Sequence, residues 1–187
     1  MKKYVRSLKF RIHMLFKYKH LLVLLVERDI KLKYRRSFLG YLWSILNPLL
    51  TMMIMVLVFS HMFSKGIANF PVYLISGNIL FSFMRESSTQ AMNSIIGNAA
   101  LLKKIYVPKY IFTLSKVTSS LVNLLFSLGA LFIVMVITKV QFTWHCLLIV
   151  IPIVQLYIFC IGLGLFLAQA NVFFRDIGNI WGVVTLA

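Results

Sequence analysis

Apolar and basic positions are interleaved from Met1 to Val26. Val5, Leu8, Ile12, Leu15 and Phe16 recur at three- and four-residue steps, with lysines and arginines between them. That spacing gathers the apolar side chains on one helical face. A basic amphipathic helix of this kind is expected to lie along a membrane surface with its lysines toward anionic headgroups. Packing on a partner protein is the other use of such a face.

Residues 27–36 then hold seven charges, and residues 37–50 hold none. The uncharged stretch from Trp43 to Phe63 is close to the ~20 residues that a bilayer core requires. The pattern places Pro48 in the first helical turn, where its missing N–H costs nothing, with Asn47 as the cap. Tyr41 and Trp43 suit the headgroup level. The charged segment before them is expected to stay in water.

A second apolar run, Pro71–Met84, is interrupted by Arg85 and Glu86 and continues as the small, polar stretch SSTQAMNSIIGNAA. It reads as one long helix over about 71–97 with a wet or protein-packed face. Arg85 and Glu86 are costly in lipid and belong against protein, water or the interface. A third span is predicted over about 114–137 and a fourth over about 145–170. Gly162 and Gly164 in the fourth are small enough for close helix approach. Ile177–Ala187 makes about 16 Å of helix, short of a ~30 Å core. The fold class expected is therefore an all-α membrane protein. It has an N-terminal interfacial amphipathic helix, four complete transmembrane helices and the start of a fifth (about 177–187), in which the chain looks cut off. A basic segment, 1–42, precedes a transmembrane domain, 43–187.

Composition supports lipid as the solvent. Of the 187 residues 60% are hydrophobic and 13% charged, against about 45–50% and about 25% in soluble domains. The net charge is +16, and residues 1–36 carry 12 of the 20 lysines and arginines. With the N-terminus inside, 18 of those 20 fall on the inner side, which fixes the expected orientation with the N-terminus cytoplasmic. Nucleic acid is not an expected partner, because the basic residues are interleaved with Val, Leu, Phe and Ile and followed by long apolar runs. Cys146 and Cys160 lie about 21 Å apart on one predicted helix, too far to pair within it, and read as small buried side chains. The N-terminus is not expected to be an ordinary secretory signal, since the apolar run Leu21–Val26 has six residues and is followed by charges.

Catalytic chemistry is scarce. No GxxxxGK[ST] loop occurs, the four histidines are scattered, and none of the four acidic residues sits mid-span. No catalytic or metal-binding residue is assigned, and the chain is expected not to be an enzyme. Two charged segments, Asn98–Tyr110 (NAALLKKIYVPKY) and Asn171–Asn179 (NVFFRDIGN), have the make-up of docking loops for a soluble partner. Ordinary cytoplasmic turns held by positive charge would look the same.

The stretch RDIKLKYRRSFLGYLWSILNPLL resembles the opening signature of ABC-2-type export permeases, particularly the branch handling O-antigen, capsule or teichoic acid. Arg28, Asp29, Tyr34, Leu39, Gly40, Trp43 and Pro48 match it in order. NAALLKKIYVPKY resembles that family's loop after the second span, which inserts a short coupling helix into an ATPase. Asn98, Leu101, Leu102, Lys103, Lys104, Ile105, Tyr106, Val107 and Pro108 are its matching residues. NVFFRDIGN resembles the loop after the fourth span, with Phe174, Arg175 and Asp176. Two features depart from the family pattern. Tyr110 stands where relatives often carry an acidic residue, and the family has six spans.

The resemblance implies a homodimer with a second permease and two copies of an ABC ATPase subunit. ATP and Mg would be held on those subunits, with no cofactor in this chain. It also implies membrane lipids as surroundings, a lipid-linked glycan as substrate and the bacterial inner (plasma) membrane as location. The basic N-terminal helix would guide the lipid's phosphate. Tyr41, Phe59 and Phe63, with Trp43, are candidates to stack on sugar rings along the path. An ABC-2 exporter of a drug or other lipid, or a truncated nonfunctional membrane fragment, are the alternatives.

Overall fold

The computed structural model describes residues 17–35, 38–63, 69–104, 106–140 and 148–186, with the backbone alone at 34 and 60–63. The amphipathic pattern before residue 17, Ile105, Cys146 and the side chains of Tyr34 and Phe63 lie outside that description. All regular structure among the described residues is helical, so the fold class is all-α.

Helix α1, Lys19–Tyr34, carries most of the charged segment as one continuous helix. Gly40 ends the connection in the left-handed region, at φ +49, a conformation glycine adopts without the steric cost a side chain would bring. A single 3₁₀ turn, Gly40–Leu42, leads into α2, Trp43–Phe63. Helix α3, Phe70–Met92, follows, and then two single turns, α4 (Ser94–Gly97) and α5 (Ala99–Leu102). Helix α6 covers Tyr110–Ile137, α7 Val150–Phe173 and α8 Ile177–Val184.

Two boundaries differ from the sequence reading. The helix expected over 71–97 stops at Met92. Asn93 turns its side-chain amide back to the Thr89 carbonyl at 3.2 Å, and Asn98 does the same to the Ser94 carbonyl at 2.8 Å. Asparagine side chains that satisfy backbone groups in this way end helical turns. Pro48 is not in a first turn, and Asn47 is not a cap. The helix already begins at Trp43, so Pro48 sits inside it. The proline cannot donate to the Ser44 carbonyl one turn back. The Ser127 hydroxyl of α6 lies 3.3 Å from that oxygen and 3.1 Å from the Asn123 carbonyl of its own helix, and shares its one proton between them.

Helix α6 is the hub, packed against α1, α2, α3 and α7. At the usual helical rise it is about 42 Å long, enough to cross a bilayer core and continue beyond it. Ile75, Ile79, Phe83 and Ala91 of α3 meet Val117, Leu124, Leu131 and Val134 of α6, with Ile153 and Cys160 of α7 closing the cluster. Gly164 sets the closest approach. A Cβ there would lie 2.7 Å from the Ala91 Cβ and 3.4 Å from a Val117 methyl, whereas one at Gly162 would meet nothing within 4 Å.

Three helical stretches among the described residues are long and apolar enough to cross a bilayer: Gly40–Phe59, Tyr110–Ile137 and Val150–Phe173. Helix α3 has the length, about 34 Å, but its second half is polar. Large apolar side chains such as Ile54, Leu57, Ile158 and Phe166 are exposed, as lipid-facing helices require.

Candidate functional site

The alternation of faces along α1 builds the site. Glu27 and Lys31 pair outward, one turn apart, with Lys31 donating to Glu27 at 2.6 Å. That hydrogen bond, and then the attraction between the two opposite charges, hold the Glu27 carboxyl below its usual range and the Lys31 ammonium above its own. Asp29 and Lys33, also one turn apart, lie on the other side of the helix and reach the bundle.

Asp29 is the most enclosed charge, its side chain 7% exposed. Arg28 donates to Asp29 Oδ1 at 3.1 Å and, from the same Nη2, to Asn98 Oδ1 at 3.1 Å. Lys116 of α6 places its ammonium 2.9 Å from Asp29 Oδ2, as an ion pair off the hydrogen-bond direction. The opening Arg-Asp pair is thus joined to the first residue of the 98–108 segment. Below it, Leu25 packs with Val107, Ile111 and Phe112, flanked by Leu101 and Leu102. Helix α1 rests on the turn that the sequence assigned to ATPase docking. Lys103, Lys104 and Tyr106 remain exposed at its surface.

The second segment is connected differently. Phe174 is exposed, and Arg175 and Asp176 form the turn before α8. Asn171, three residues earlier, is buried and donates to the Met92 carbonyl and to Asn93 Oδ1, both at 3.3 Å. Both candidate docking segments are therefore anchored at the asparagine-punctuated stretch that follows α3.

A second polar cluster lies further along α6. Glu86 Oε1 accepts from Lys33 at 2.7 Å, Gln90 at 2.9 Å and Asn123 at 3.1 Å. Asn123 lies within the apolar run that begins at Val117, about 9 Å along the helix from its start. The last turn of α1 thus meets α3 and α6 through Lys33 and Glu86. Tyr41 places its ring 6.1 Å from that of Phe126, tilted by 38°. Helix α2 starts beside Ser127 of α6. A polar cavity of about 180 Å³ opens there between α1, α2, α3 and α6. Lys33, Asn47, Thr51, Asn78, Glu86 and Asn123 are among its lining.

Phe59 is half-exposed and lies about 24 Å along α2 from Trp43. Gly40 and Leu39 form the turn, and Trp43 and Pro48 line the polar cavity. Lys116, Asn123 and Asn171 were not singled out in the sequence. The signal for each is a polar side chain within or at the edge of an apolar run, which lipid tolerates only when it is partnered.

No three histidine, cysteine or acidic side chains converge as a metal site among the described residues. Residues 20–187 match the family described as ABC-2 type transporter. An O-antigen export system permease protein of Myxococcus xanthus is 33% identical over 166 residues, 89% of this chain and 64% of that protein. One from Klebsiella pneumoniae is 34% identical over 161 residues, covering 84% and 61% respectively. A capsule polysaccharide export inner-membrane protein of Neisseria meningitidis is 26% identical over 170 residues, covering 86% and 62%. The chain spans somewhat under two thirds of the length of these relatives. With a match extending over almost its whole length, the chain belongs to the ABC-2 type transporter family.

Proposed function

We propose that this chain is a transmembrane permease subunit of an ABC exporter that carries a polysaccharide or lipid-linked glycan across the bacterial inner membrane. The N-terminus faces the cytoplasm. A second copy of the permease completes the path, and two copies of a separate ATPase subunit, holding ATP and Mg, drive it. The observation that carries the mechanism is the bond between Arg28 and Asn98 beside the Asp29–Lys116 ion pair. Motion delivered to the 98–108 turn reaches α1 and α6 directly, through charged side chains in fixed contact. The 174–176 turn delivers the same motion through Asn171 to the end of α3. The likeness to O-antigen and capsule export permeases supports the choice of cargo.

The exposed Lys103 and Lys104 are the contact predicted to matter most for the ATPase. Lys103→Glu combined with Lys104→Glu should cut polymer export about tenfold, the factor that ~1.4 kcal/mol of lost docking energy gives, with membrane insertion unchanged. Surface polymer measured alongside ATPase co-purification checks this. Unchanged export with unchanged co-purification removes the docking role, and export of a lipid or drug without glycan removes the cargo assignment.

A further inference from the structure

A second cavity among the described residues is more spacious than the polar one. A groove of about 630 Å³ lies between α6 and α7, beside Ile95 of α4. It is walled by Leu114, Ile161, Leu165, Val172 and Phe173, with Lys109, Tyr110 and Gln169 toward the end nearest the 98–108 segment. From Ile161 to Phe173 it follows α7 for about 18 Å, close to the ~15 Å depth of one leaflet's hydrocarbon.

We infer that this groove is a binding site for an anionic glycerophospholipid of the inner leaflet, with an acyl chain along Ile161 and Leu165 and the phosphate at Lys109. Two observations favour that occupant over another helix. None of the lining residues is acidic. Lys109 is exposed, and among the described residues its ammonium and the Gln169 amide have no partner. A single cation above a greasy slot, with an amide and a tyrosine at the rim, has the layout by which basic pockets between membrane helices hold lipid headgroups. An apolar peptide segment would leave Lys109 and Gln169 unsatisfied.

The test uses the protein purified with its partners and reconstituted in phosphatidylcholine vesicles. These carry a photoreactive phosphatidylglycerol or a photoreactive phosphatidylcholine. The phosphatidylglycerol probe should label the 161–173 peptide about fivefold more than the phosphatidylcholine probe, the preference that one surface lysine confers. Lys109→Gln should bring the two to the same level, and Leu165→Trp, which fills the slot, should reduce both. Equal labelling by the two probes, or labelling indifferent to Lys109→Gln, overturns the proposal. So does a cross-link from Leu165→Cys to polypeptide in place of lipid, which would mean that a further span or a second copy occupies the groove.

Discussion

Single residues in this chain work by what they leave open. Pro48 withholds a donor from the Ser44 carbonyl, and the Ser127 hydroxyl, which also bonds the Asn123 carbonyl, offers a shared one across the helix pair. The two residues should therefore be coupled. Ser127→Ala is expected to cost about 0.6 kcal/mol, the average for a hydrogen bond between membrane helices. In a Pro48→Ala background it should cost close to nothing, because the new backbone N–H would bond the Ser44 carbonyl along the helix. A double-mutant cycle on thermal stability measures the difference, and additive effects would show that the Ser127 bond is incidental. Asp29 acts in the opposite sense. Its carboxylate is almost enclosed and draws Arg28 and Lys116 to one point. The sequence displayed both the proline and the Arg-Asp pair. It could not display their partners, because nothing local connects them. Ser127 is far along the chain from Ser44, and so is Asn98 from Arg28.

At the scale of elements, the bilayer makes lengths legible. A run of about 20 apolar residues has few other uses, and the helices at Trp43–Phe63, Tyr110–Ile137 and Val150–Phe173 follow from it. Contacts between elements are less legible. Gly162 and Gly164 look alike in sequence, yet two residues on a helix point about 200° apart. Gly164 alone of the two faces Ala91 and Val117. Gly164→Ala should separate α7 from α3 and lower stability by about 1–3 kcal/mol, the cost of overpacking. Gly162→Ala should be neutral or slightly stabilising, since alanine favours the helix. Thermal melting of the two variants in the same membrane mimic decides; equal effects would contradict the close approach. The helix break at Asn93 also escaped the sequence reading. Small polar residues continue past it, and only the folded chain shows the asparagine amide turned back on the helix.

Over the whole molecule, the charges of α1 are tied to the apolar bundle. Lys33 and Glu86 meet at the level of Asn123 and cancel each other where lipid would oppose either alone. Both side chains keep some exposure. Glu86→Gln should therefore lower stability by about 1–2 kcal/mol, less than the loss of one partner from a fully buried pair. Lys33→Met combined with Glu86→Leu should recover most of that loss. Denaturation in mild detergent compares them; a double variant no better than the single one would mean that the pair is needed for more than charge balance.

That pairing also dictates an order of events during synthesis. Lys33 leaves the ribosome well before Glu86, and earlier still than Asn123. Until those two have been translated, Lys33 cannot reach the Glu86–Asn123 cluster that it joins in the folded bundle. The N-terminal helix must therefore wait on the aqueous side while three later helices are threaded, and its docking becomes a late step in biogenesis although it is the first part made.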